Sequence, residues 1–227
     1  MLFFLALFCV SYIGALSTIP IHEISFPADF SQTKSCILCD LDGTLLNSEH
    51  TVSEENIVTI QEAMKNGWRF IPATGRTRVS MRNAVGEDVI QRLFGDGSRM
   101  PGIYQQGLMV FGLNGELIYE RLLEQEVIEM AVSFCKEENL SLIAYAGDRV
   151  FCERRTLETD KVVAYKDPEP ETFSQGLHKL HTEGIHVHKL IVVADPLKIP
   201  SIRSKMVPFL ANKATFTQVN FIEFMPR

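Results

Sequence analysis

Residues Cys36-Ile37-Leu38-Cys39-Asp40-Leu41-Asp42-Gly43-Thr44-Leu45-Leu46 form an apolar run that ends in two carboxylates one residue apart, followed by a glycine turn. Five consecutive residues without a charge, Ser35 to Cys39, read as a strand buried on both faces, the pattern of a parallel sheet. Such a strand delivers Asp40 and Asp42 to its carboxyl end. In open α/β sheets, ligands bind at that end.

The stretch that follows fixes the topology. Thr51 with Glu54 three residues on predicts a capping box, and a helix over 53–66 places Ile57, Ile60 and Met64 on one stripe before Gly67. Trp68-Arg69-Phe70-Ile71-Pro72-Ala73 is the next predicted strand, with Pro72 tolerated near its end. Strand, helix and strand make a βαβ unit, so Asp40 and Thr74 are expected at the same edge of one sheet. A helix near 77–85 comes next, then a looser stretch containing Gly95, Gly97, Pro101 and Gly102. Asn114-Gly115 predicts a hairpin between 103–111 and 117–119. From about Leu122 the pattern becomes α+β: helices over 124–138, 173–181 and 197–210, and strands over 142–145, 150–153, 186–193, 214–218 and 221–224. Most of these strands are expected to be antiparallel, with a hairpin at Ala146-Gly147-Asp148.

Size permits one large domain or two small ones among 227 residues. The net charge of −6 gives no electrostatic case for nucleic acid. No Asp, Glu, Lys or Arg precedes Glu23, and Met1–Leu16 is apolar but short for a membrane span. Ala15-Leu16-Ser17 fits a signal-peptidase pattern. Residues 1–17 are therefore expected to be a signal peptide and 18–34 a linker, with no stable membrane span once the leader is removed. Three destinations stay open: the secretory pathway or secretion, a plastid through a two-part leader, and the cytoplasm if the leader comes from a mis-assigned start. Cys36 and Cys39 stand three apart on a strand and so point to opposite faces, which suits core packing and not a redox pair.

Asp40-x-Asp42 suits phosphoryl transfer. One carboxylate can attack phosphorus covalently, and a second acid can protonate the leaving oxygen and then deprotonate water. The dianionic phosphate and the nucleophile repel each other, so a divalent cation is called for, and Mg²⁺ takes carboxylate and phosphate oxygens. Gly43 and Thr44 offer backbone N–H groups as an anion nest. Thr74 offers a hydroxyl and an N–H, beside Gly75.

Asp40-Leu41-Asp42-Gly43-Thr44-Leu45-Leu46, followed by Ala73-Thr74-Gly75-Arg76, resembles the first two motifs of the haloacid dehalogenase (HAD) superfamily, in particular the Cof-type hydrolases that carry a large α/β cap. The resemblance covers about 35–227 and is strongest over 35–78. It implies a Rossmann-like parallel-sheet core over 35–121 and an inserted α+β cap over 122–227. It further implies a Mg²⁺-dependent phosphatase for a small phosphorylated metabolite, such as a sugar phosphate, working through an aspartyl-phosphate. Asp40 would be nucleophile and metal ligand, and Asp42 the general acid/base with its carbonyl on the metal. Gly43, Thr44, Thr74 and Gly75 would bind phosphate. A phosphomannomutase-like mutase and a non-catalytic binding protein are the alternatives.

The family's third motif, a lysine on a later helix, and its fourth, Gly-Asp-x-x-x-Asp-like, follow the cap. Here no aspartate follows Asp195, Lys198, Lys205 and Lys213 read as cap residues, and Gln105-Gln106-Gly107 stands where Asn-Gly is usual. The expectation is a core truncated at its C-terminal end, with little activity left to the chain as written. His178, His181, His186 and His188 are expected on a solvated cap face, because no Cys or carboxylate sits at zinc-ligand spacing.

Overall fold

In the computed structural model, residues 35–210, 214–218 and 221–226 are described. The expected signal peptide over 1–17, the linker over 18–34, and Lys213 lie outside them.

Two packed units follow one another along the chain. In the first, β1 (Ser35–Cys39) pairs in parallel with β2 (Trp68–Pro72) across helix α1 (Glu54–Lys65). A parallel bridge from Ala73 to Ile103 joins β2 to β3 (Gly102–Tyr104), and β3, β4 (Met109–Phe111) and β5 (Leu117–Glu120) continue as an antiparallel meander. Helices α2 (Arg78–Val85) and α3 (Glu87–Phe94) complete the unit. Its core gathers Leu41, Leu45, Ile57, Phe70, Met81, Ile90 and Tyr104.

The second unit is a six-stranded sheet in the order β10-β11-β9-β6-β7-β8. It is built from β6 (Ser141–Ala146), β7 (Arg149–Cys152), β8 (Glu171–Thr172), β9 (Lys189–Val193), β10 (Ala214–Gln218) and β11 (Phe221–Met225). Every pairing is antiparallel except β7 with β8. Side chains alternate along these strands. Leu142, Ala144, Leu190, Val192, Ile222 and Phe224 form one face and pack with residues of α4 (Gln125–Glu137) and α6 (Ile199–Leu210). Ile143, Tyr145, Ile191, Val193 and Phe221 form the other face, which helix α5 (Lys161–Ala164) joins through Val162. Lys189 and Glu223 have the parity of that second face.

Three local expectations give way. Ser53, not Thr51, caps α1, its hydroxyl accepting from Asn56 N–H at 3.2 Å. Thr51 instead turns into the preceding loop, where its hydroxyl and its N–H both bond the Asn47 side chain. The stretch after Val85 holds a helix, α3, because Val89, Ile90 and Leu93 make a buried stripe that outweighs the flanking glycines. The helix expected over 173–181 is replaced by two 3₁₀ turns, Leu177–Lys179 and His181–Glu183, which follow the short strand β8. Leu177 and Leu180, three apart and both fully buried, suit a period of three. Cys36, Cys39, Cys135 and Cys152 are free thiols. Among the described residues, no helix is long and apolar enough to cross a membrane.

Candidate active site

The parallel register ends with Cys39 opposite Pro72, and Ala73 N–H donates to Cys39 O at 2.9 Å. Asp40 and Thr74 therefore leave the sheet at one end, as the βαβ reading requires. Beyond Asp40 the chain makes a wide turn over Leu41–Leu45, closed by Leu45 N–H on Asp40 O and Leu46 N–H on Leu41 O. Leu41 and Leu45 are buried and anchor the turn, while Asp42, Gly43 and Thr44 are exposed between them. Gly43 stands at φ 75°, ψ 7°, a left-handed conformation that side chains resist.

The two carboxylates are treated differently. Among the described residues no cation pairs with Asp40. The loop strips part of its water and raises its pKa above the ordinary carboxylate value. A hydrogen bond from Leu41 N–H works against that rise, and the charge of Asp42 adds to it. Asp42 instead lies in the fork of Arg76: Nε donates to Oδ2 and Nη2 to Oδ1, both at 2.8 Å. This bidentate pairing is a strong form of charge-assisted bond. Burial opposes the Arg76 charge, but the bonds to Asp42 and the nearby charges of Asp42 and Asp167 raise its pKa on balance. The remaining arm, Nη1, donates to Ser80 Oγ at 3.1 Å and to the Tyr165 carbonyl of the second unit.

Thr74 is buried, and its N–H is already committed to Ile103 O at 2.8 Å. Only its hydroxyl, which accepts from Arg76 N–H at 3.2 Å, has a proton left to offer; this corrects the expectation that both groups face a phosphate. Gly75 lies under Gln106, whose Nε2 would stand 3.0 Å from a Cβ placed there.

The second face of the six-stranded sheet roofs this loop. Lys189 Nζ donates to Gly75 O at 3.3 Å and Gln106 Oε1 at 3.4 Å, and lies 3.7 Å from Glu223 Oε1. Gln106 Nε2 donates to Glu223 Oε2 at 3.0 Å. The Lys189 and Glu223 side chains are each only 5% exposed. Gln105, fully buried, donates from Nε2 to Gly147 O at 2.9 Å. Gln105 and Gln106 are both left-handed, at φ 50° and 55°, strain of the kind that concentrates at functional sites. Asp148 accepts from Arg78 and from Val79 N–H, docking the β6–β7 turn on α2.

The sequence pattern alone gives Arg76, Gln105 and Gln106 no role and does not single out Lys189, Glu223, Tyr165 or Asp167. One signal was present: Lys189 and Glu223 are lone charges in apolar strands, and such residues are almost never fully buried unless paired. His186 is exposed as expected, but His188 and His181 are not. His188 is buried, not solvated: Nδ1 accepts from Gly147 N–H at 3.0 Å, and Nε2 lies 2.9 Å from Glu120 Oε1. His181 accepts from Val187 N–H. Among the described residues no group of three His, Cys, Asp or Glu gathers to hold a metal. A cavity of about 360 Å³ opens elsewhere in the second unit, between α4, the start of β6 and the segment 153–159, and contains none of the motif residues.

A family model described as haloacid dehalogenase-like hydrolase matches residues 37–227, and the chain belongs to that family. The fold is matched by a solved HAD/COF-like hydrolase from Plasmodium vivax, with a TM-score of 0.72 and 25% identity, covering 86% of this chain and 69% of that one. Phosphatase YwpJ of Bacillus subtilis is 27% identical over 115 residues, 51% of this chain and 38% of that protein. A chloroplastic protein of Arabidopsis thaliana named endoribonuclease YBEY is 34% identical over 121 residues, 51% of this chain and 20% of that protein. The chain thus spans well under half the length of these two relatives.

Proposed function

We propose that the chain carries the phosphoryl-transfer site of a phosphatase acting on a small phosphorylated metabolite, with the second unit as its cap. The observation that carries this reading is the unequal pair at the end of β1: Asp40 exposed without a described cation, Asp42 held in the Arg76 fork, and Thr74 brought to the same sheet end. The family membership and the phosphatase-named relative agree with it.

In this mechanism an Asp40 carboxylate oxygen attacks phosphorus, and the bond to the leaving oxygen breaks, giving an aspartyl-phosphate. Asp42 gives its proton to the leaving oxygen and then takes one from the water that hydrolyses the acyl phosphate, which restores both groups. In the structure both Asp42 oxygens accept from Arg76, so the fork must first release it. A phosphate dianion competes for that fork, because guanidinium binds phosphate and carboxylate with the same two-point geometry. Substrate arrival would thereby free the Asp42 carboxylate, which takes up a proton from water before it acts as the acid. Gly43, Thr44 and the Thr74 hydroxyl would line the phosphate, and Gly75 lets the loop pass close under Gln106.

The oxygen donors here suit Mg²⁺ better than zinc, and Mg²⁺ is content with one or two protein carboxylates plus water and phosphate. The Asp40 carboxylate and the Asp42 carbonyl are the atoms that would hold it. When bound, it would supply positive charge between nucleophile and phosphate. The destination proposed is the secretory pathway or a plastid; the Arabidopsis relative is named chloroplastic.

The test is phosphate release from p-nitrophenyl phosphate and glucose 6-phosphate with Mg²⁺ present. Asp40→Asn is expected to lose at least about a thousandfold in rate, because the nucleophile is removed, with thermal unfolding unchanged. Activity retained in that variant would take Asp40 out of the nucleophile role. An unmutated chain that binds phosphate but releases none would favour the non-catalytic alternative.

A further inference from the structure

Three consecutive residues of the second unit, Tyr165, Lys166 and Asp167, are fastened over Arg76. The Tyr165 carbonyl accepts from Arg76 Nη1, and the Lys166 carbonyl accepts from Asn83 Nδ2 at 3.1 Å. Lys166 holds φ 69°, a left-handed conformation unusual outside glycine, so the loop is kept in place against a local strain. Asp167 then turns back to the sheet face. Its Oδ2 accepts from the Tyr145 hydroxyl at 2.7 Å, and Tyr145 is only 2% exposed. The Tyr145 ring is itself set by Lys189, whose Nζ lies 4.8 Å from the ring centroid.

The result is a half-buried carboxylate with one oxygen pinned by a buried phenol, close enough to Arg76 to act on its charge. Among the described residues its second oxygen has no partner. An unprotonated carboxylate oxygen can only accept. It therefore fits a hydroxyl and repels a second anionic group at that position. Discrimination of this sort is a difference of affinities, supplied as much by repulsion as by attraction.

We propose that Asp167, positioned by Tyr145, reads the leaving group and selects phosphate monoesters of uncharged polyhydroxy compounds over phosphorylated acids. This rests on the reading of Asp40, Thr74 and Arg76 as the phosphate site. The phosphate lies against Arg76, and the carbon chain it carries extends under the Tyr165–Asp167 loop.

Glucitol 6-phosphate and 6-phosphogluconate test this directly, since these two open chains differ only in a terminal hydroxymethyl against a carboxylate. Their binding, and that of inorganic phosphate, is measured by calorimetry on the full chain carrying Asp40→Asn, which prevents turnover. Glucitol 6-phosphate is expected to bind at least about tenfold tighter than 6-phosphogluconate, the range of one charge-assisted contact. Adding Asp167→Asn, which keeps an acceptor for Tyr145, is expected to shrink that ratio to within about twofold. Inorganic phosphate affinity should stay within about threefold. Tyr145→Phe should reduce the ratio when Asp167 is present and change nothing further when Asp167 is already Asn. It also keeps the test open if Asp167→Asn fails to fold. An unchanged ratio overturns the inference, as does an equal fall in affinity for all three ligands. Absence of phosphate release by the unmutated chain would contradict the phosphatase reading alone, because the binding preference remains measurable. Binding of none of the three would overturn both.

Discussion

At the scale of single residues, the neighbours of His188 decide where its proton sits. Gly147 N–H donates to Nδ1, so Nδ1 must be bare, and the ring proton goes to Nε2 facing Glu120. A second proton would have to enter at Nδ1 and break the Gly147 bond. Burial lowers the pKa of His188 below the ordinary 6.5, and the opposing pull of Glu120 does not restore it. His181, held neutral by Val187 N–H, is lowered by burial in the same direction. The unfolded chain therefore binds more protons than the folded one between the depressed pKa and about 6.5. Stability from these groups is full above about 6.5 and is lost as pH falls through that window. Denaturant unfolding at pH 8 and pH 5 is expected to show the loss. In His188→Asn, whose Oδ1 can still accept from Gly147, the pH dependence should be shallower. An unchanged slope would place the sensitivity elsewhere.

At the scale of elements, β9 and β11 set a charged pair into an apolar sheet face. Register places Phe224 opposite Leu190 and Glu223 opposite Ile191, so Lys189 and Glu223 meet diagonally. With both side chains buried and Gln106 joining them, removing one partner leaves the other charge stranded. Lys189→Met is expected to destabilise by about 3–5 kcal/mol, whereas Lys189→Met with Glu223→Gln should destabilise less than Lys189→Met alone, since no buried charge remains. Chemical denaturation of the single and double variants reads this non-additivity; losses that simply add would mean the two groups do not act as a pair. The strands themselves were legible. Alternation placed β6, β7, β10 and β11 within a residue or so at each end, and the Asn114-Gly115 turn placed β5 and the end of β4, but the single strand expected over 103–111 is broken by the 3₁₀ turn Gln105–Gly107 into β3 and β4. The strand expected over 186–193 begins only at Lys189. Helix α3 escaped because eight residues between glycines carry little periodic signal, and the 3₁₀ turns escaped because their period only becomes visible once Leu177 and Leu180 are seen buried.

At the scale of the whole molecule, the site was half legible for a physical reason. Asp40, Gly43 and Thr44 follow one strand, and Thr74 follows its parallel neighbour, so a local βαβ unit predicts their meeting. The bonds of Arg76 to Asp42 and Tyr165, of Gln106 to Glu223, and of Tyr145 to Asp167 cross between elements or between units. No local pattern encodes them. They depend on how the six-stranded sheet is seated over the Thr74–Arg76 loop. Together they give the proposed active site two unequal carboxylates on one side and a polar, partly strained roof on the other. The central claim is that Asp40 takes the phosphoryl group covalently. The most direct measurement is an acid-quenched single turnover of the full chain with p-nitrophenyl phosphate and Mg²⁺, followed by peptide mass mapping. The expected result is a phosphoryl adduct on Asp40 that is absent from Asp40→Asn. Phosphate released with no adduct on Asp40, or an adduct on another residue, would contradict the account.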